Sequence, residues 1–124
     1  MKLNNLFSLL LIFPLSCIGS DEISHLKALD AKASEYRKMS IECVTDAKLS
    51  KKPLAEVGTC KLLYQFTIDE YPGLKESIVE AEKDAKLEGV AKGLESPALR
   101  EKLVLIMSAK SHVSIAGSIL NKVR

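Results

Sequence analysis

Apolar and small residues recur from Ile23 as Leu26, Leu29, Ala33, Tyr36, Ser40, Cys43 and Ala47, at alternating spacings of three and four. That spacing returns to one face of a helix on every turn. The positions between hold Lys27, Asp30, Lys32, Glu35, Lys38, Glu42 and Asp46, as a solvated face would. The pattern stops at Leu49-Ser50-Lys51-Lys52-Pro53, where Pro53 disfavours helical geometry at Lys52 and suits the first turn of a new helix. A second helix is predicted to carry Val57, Cys60, Tyr64, Ile68 and Tyr71 on its inner stripe and to end at Pro72-Gly73.

A third helix, from Leu74 towards residue 94, keeps a thin apolar stripe of Leu74, Ile78, Ala81 and Ala85 among many charges, with Gly93 as its cap. Ser96-Pro97 then reads as an N-cap followed by proline at the first helical position. The helix it opens, towards Asn121, would set Leu99, Leu103, Ile106, Val113, Ala116 and Leu120 against a core. Within it, residues 103–107 are apolar on every side and Val113-Ser114-Ile115 alternates like a strand, so a short hairpin over residues 103–120 is the rival reading. No cluster of turn residues separates two strands there, and the helix is preferred. If helical, this segment is either wrapped by the others or shows an apolar face to a partner.

Residues 6–15 differ from the rest. They form an uncharged apolar run of ten after Lys2, too short to span a bilayer, which takes about 20 residues. A positive start, an apolar run and small residues make a secretory signal peptide over residues 1–20, with cleavage near Gly19 or Ser20 and a single domain over residues 21–124. Leu15-Ser16-Cys17 also resembles the end of a bacterial lipoprotein box, in which Cys17 would be lipidated. Simple cleavage and lipidation both stay open. Either removes or uses Cys17 and leaves two of the three cysteines, Cys43 and Cys60, as an even pair. Counted from the turn at residues 51–52, each lies about eight residues away on an inner face, so an antiparallel hairpin brings them level and a disulfide is expected. The fold class is therefore an all-α four-helix bundle: a helical hairpin stapled by one disulfide plus two further helices.

Composition narrows function mainly by exclusion. The 124 residues carry 18 Lys and Arg against 16 Asp and Glu, a net charge of +2, too near neutral for bulk attraction to nucleic acid or anionic lipid. No nucleic-acid partner is expected, and membrane contact is expected only through Cys17. The chain has no phosphate loop, GxSxG elbow, HExxH or paired CxxC, so no catalytic residue, metal site or cofactor is assigned. His112 has no partner three or four residues away on its own helix, and reads as a boundary residue rather than a proton shuttle. Tyr36, Tyr64 and Tyr71 fall on the inner stripes and read as core rather than as a ligand box.

Local charge is less even. Residues 69–88 hold seven acids and three lysines, whereas residues 100–124 hold five basic residues and one acid. The two regions could attract each other within the fold, or the acidic helix could be offered to a basic partner. Glu76, Glu80 and Asp84, at i, i+4 and i+8, are the candidate partner contacts. Together these features predict an exported protein that acts by binding another protein in a bacterial envelope, for instance an inhibitor or immunity protein against a secreted toxin. Its general layout is similar to that of immunity proteins, those against exported amidases included; the likeness is one of architecture and carries no residue across. A small secreted enzyme and a lipid-anchored structural or assembly accessory are the other readings.

Overall fold

The computed structural model describes the backbone of residues 15–93 and 95–122 and the side chains of residues 21–93 and 95–122. It contains α1 (Leu15–Ser50), a single 3-10 turn (Leu54–Glu56), α2 (Gly58–Asp69), α3 (Tyr71–Lys92) and α4 (Pro97–Asn121), with no strand among the described residues. Residues 103–120 lie within one helix, so the hairpin alternative is set aside. Most of the candidate leader falls outside the described residues, as does the Cys17 side chain.

The terminators act as their chemistry requires. Lys51 closes α1 in the left-handed region at φ 56°, its N–H donating to the Ala47 carbonyl at 2.9 Å. Gly93 ends α3 at φ 83°, a conformation that costs glycine little. Ser96 caps α4 by accepting a hydrogen bond from the Leu99 N–H at 3.4 Å, and Pro97 follows at the first helical position. Between α2 and α3, Pro72 has no N–H to offer the Ile68 carbonyl, so the two helices form one column broken at Glu70.

Cross-helix pairs fix the topology. Going down α1, Asp46 meets Thr59, Cys43 meets Cys60, Tyr36 stacks on Phe66 at 5.5 Å, and Lys32 pairs with Glu70. The α2–α3 column therefore runs antiparallel to α1. Lys102 pairs with Glu22 and His112 faces Asp30, so α4 runs parallel to α1, while Glu88–Lys102 and Glu82–Lys110 set α4 antiparallel to α3. Four helices thus make three columns. The largest interface is α1 against α4, and along it Ala33, Ser40, Ala109 and Ala116 are fully buried at seven-residue spacing on each helix. Ser40 tolerates this because its hydroxyl donates to the Tyr36 carbonyl at 2.9 Å.

The Cys43–Cys60 disulfide forms as expected, with the Cα atoms 4.6 Å apart. The end and the stripe of α2 need correcting: α2 stops at Asp69, and Tyr71, Pro72 and Gly73 belong to the first turn of α3 rather than to the end of α2. The buried residues of α2 are Cys60, Leu63 and Phe66, continuing from Val57, whereas Tyr64 is 68% and Ile68 52% exposed. From Cys60 a step of three reaches Leu63 and a step of four reaches Tyr64; both are apolar enough to serve, and only the seating of Phe66 on Tyr36 selects the first. Tyr36 is buried and Tyr71 half-buried, so of the three tyrosines only Tyr64 leaves the core. Ala109, fully buried, is a core position its small size concealed.

Replacing both Cys43 and Cys60 by alanine should lower stability by about 3 kcal/mol, the chain-entropy value for a loop of this size. Thermal melts should show this as a fall in Tm of several degrees, and non-reducing mass spectrometry of the parent should recover the two cysteine peptides joined. Leu99→Ala should cost about 2–5 kcal/mol by chemical denaturation, whereas Ile68→Ala should cost under about 0.5 kcal/mol.

Candidate binding groove

On the side where α3 passes α1, the residues facing each other are small. Gly73, Ser77 and Ala81 on α3 lie opposite His25 and Ala28 on α1, and two adjoining hollows of about 310 and 380 Å³ open there, sharing His25 and Ser77. The larger has an apolar floor of Leu26, Ala81, Ala85 and Ile106. Its rim carries Glu22 from α1, Glu80, Asp84 and Glu88 from α3, and Lys102 from α4.

These charges are not equivalent. Lys102, only 12% exposed, bonds to both Glu22 and Glu88, the latter at 2.8 Å. Burial works against its charge, yet the hydrogen bonds and the charges of the two carboxylates more than offset this and hold its pKa above the ordinary lysine value. Glu22 and Glu88 are thus committed to Lys102. Glu80 and Asp84 are exposed, one turn apart, and make no ion pair among the described residues. The groove keeps a net negative rim over an apolar floor. That combination suits a cation on an aliphatic stem, such as a lysine or arginine side chain reaching in from elsewhere.

Of the three carboxylates singled out from sequence, Glu80 and Asp84 line this groove while Glu76, exposed one turn away, does not. Glu22 and Glu88 were missed because their proximity depends on packing across three helices. The internal attraction between acidic and basic regions is also real: Glu82 and Glu88 pair with Lys110 and Lys102, and the Lys110 hydrogen bond, opposed by desolvation and aided by the charges of Lys110 and Lys86, holds the Glu82 pKa below the ordinary carboxylate value.

A second polar cluster lies between α1 and α4. His112 Nε2 is 3.7 Å from Asp30 Oδ1, a buried atom without a hydrogen-bond partner among the described residues, and Nδ1 is 3.4 Å from Arg37 Nη1. Arginine can only donate, so in the neutral ring Nδ1 accepts and the N–H sits on Nε2, towards Asp30. His112 does have partners, all on α1 and invisible to a search along its own helix.

No family model, curated protein or solved structure matches the chain. Among the described residues no three His, Cys, Asp or Glu side chains are grouped to hold a metal ion. The disulfide points to an oxidising, non-cytoplasmic environment.

Lys102→Met should leave Glu22 and Glu88 facing each other unneutralised and cost about 1 kcal/mol, seen as a Tm lower by roughly 4 °C. Because the folded pKa of Lys102 lies above the unfolded one, its contribution is complete below the unfolded value of about 10.4 and is lost as pH rises through the folded value. The Tm gap between parent and variant should accordingly hold steady from neutrality to about pH 9 and shrink above about pH 10.4.

Proposed function

We propose that this chain is an exported binding protein of the bacterial envelope that takes a basic segment of a protein partner into the α1–α3 groove, in the manner of an inhibitor or immunity protein against a secreted toxin. The observation that carries this reading is the pairing of Glu80 and Asp84, exposed and without ion pairs among the described residues, with an apolar floor of Leu26, Ala81, Ala85 and Ile106. A lysine or arginine entering there would lay its methylenes on the floor and its charge against the two carboxylates. The disulfide supports residence outside the cytoplasm, as the candidate leader over residues 1–20 does. A hydrolytic enzyme built on His112 finds less support, since Arg37 rather than a nucleophile faces its Nδ1.

With a lysine-rich peptide as probe, Glu80→Lys with Asp84→Lys should slow association at low salt by about tenfold or more, while Glu76→Lys alone should have a much smaller effect. Both variants should melt within about a degree of the parent, because exposed charges contribute little to folding. Equal association of the double variant and the parent across low and moderate salt would overturn the groove as the binding site.

A further inference from the structure

α4 is long and apolar enough to cross a membrane, with a mean hydropathy of 1.6 over its best window, yet only 17% of that window is buried in the bundle. Leu103, Leu105, Val113 and Leu120 pack on the core beside its buried residues, and Val104 and Met107 are the large apolar side chains it leaves exposed. One flank is committed: Leu99, Ile106, Ala109 and Ala116 are buried, and Lys102 and Lys110 reach to Glu88 and Glu82. The opposite flank carries Val104 (66% exposed), Met107 (68% exposed), Ser111, Ser114 and Ser118, without a charge.

The Glu82–Lys110 pair marks where the outer surfaces of α3 and α4 meet. Because the two helices are antiparallel, steps of three and four from it place Val79 on α3 level with Ser114 on α4, and Lys86 level with Met107. A further turn adds Val90, 88% exposed, near the start of α4. Lys75 and Lys83 on α3, and Arg100 and Lys122 on α4, border these aliphatic residues; Glu76 and Glu101 stand at the margins. α3 is thus divided along its length. Lysines flank it towards the outer side of α4, and Glu80 and Asp84 flank it towards the groove.

We propose that the α3–α4 face seats on an anionic lipid surface, with Val79, Val90, Val104 and Met107 at the headgroup boundary and Lys75, Lys83 and Lys86 on the phosphates. This adds to Cys17 a contact that the small net charge conceals. Lipid fits the face because dispersed aliphatic side chains lie beside lysines whose stems can follow them to the headgroup level and set their charges on phosphates. The division of charge across α3 supplies the orientation: an anionic surface attracts the lysine flank, repels the Glu80–Asp84 flank, and leaves the groove open to water. The Glu22–Lys102–Glu88 junction also ties the start of α4 to the first turns of α1, so Cys17 leaves the bundle at the Val90 end of this face. This proposal does not depend on what the groove binds.

Flotation suits a chain without tryptophan. The chain with its native N-terminus, whether acylated or not, is floated with vesicles of phosphatidylcholine alone and with vesicles carrying added phosphatidylglycerol. The parent should prefer the anionic vesicles by about tenfold or more, and the preference should fall with salt. Lys83→Glu with Lys86→Glu should abolish the preference, and Val104→Ser with Met107→Ser should weaken binding to both vesicles several-fold; each should still melt cooperatively within about 5 °C of the parent, the lysine variant slightly lower because it sets like charges beside Glu80 and Glu82. Glu80→Lys with Asp84→Lys should keep the preference, which separates this face from the groove. Equal partition of the parent between the two vesicle types, or a preference surviving in the lysine variant, overturns the proposal. So does self-association abolished by Met107→Asp in a chain that ignores vesicles, which would assign the face to a second copy.

Discussion

Two parallel helices can lie close together only where the side chains between them are small. Ala33 and Ser40 on α1 and Ala109 and Ala116 on α4, fully buried at seven-residue spacing, make that approach possible along the largest interface of the bundle. The rest of the topology follows from it. A chain that leaves one end of α1 and must lay α4 alongside in the same direction needs a return path of comparable length. Lys51 in its left-handed conformation, the 3-10 turn, the disulfide and the α2–α3 column broken at Pro72 provide that path. The disulfide holds the far end of the return, where α2 packs on α1 without reaching α4, while α3 lower down packs on both α1 and α4.

The polar residues near the seam show how little room it leaves. His112 fits between Asp30 and Arg37, and Lys102 between Glu22 and Glu88, each drawing partners from the neighbouring column. Such pairs contribute modestly to stability, since burying them has its own cost, but a shift of α4 along α1 would separate both clusters at once. They therefore act on register more than on strength, which is a role attested for buried polar groups in helical assemblies. The groove between α1 and α3 is the counterpart of the tight seam. There the small residues Ala28, Gly73, Ser77 and Ala81 are not followed by a close approach, and the space between the columns stays open.

The helices were legible in the sequence because most ends have a terminator with a plain mechanism: Pro53 after Lys51, Gly93, and Ser96 before Pro97; Pro72 signalled the break between α2 and α3, which falls earlier, at Glu70, with Pro72 in the first turn of α3. The disulfide was legible for the same reason, since fixing the turn sets Cys43 and Cys60 at one height. Charge pattern also marked Glu76, Glu80 and Asp84 as exposed acids on one line, of which Glu80 and Asp84 line the groove. These are local properties, decided by a few consecutive residues. What the tertiary structure alone decided was which of two apolar stripes of α2 turns inward, which carboxylates join Glu80 and Asp84 at one groove, that His112 meets Asp30 and Arg37, and that Val104 and Met107 of the apolar α4 face outward while the rest of it packs on α1 and α3. Each depends on the direction in which one helix is laid against another. A helix with apolar residues at both three- and four-residue steps satisfies periodicity either way, so only packing against its neighbours chooses between them.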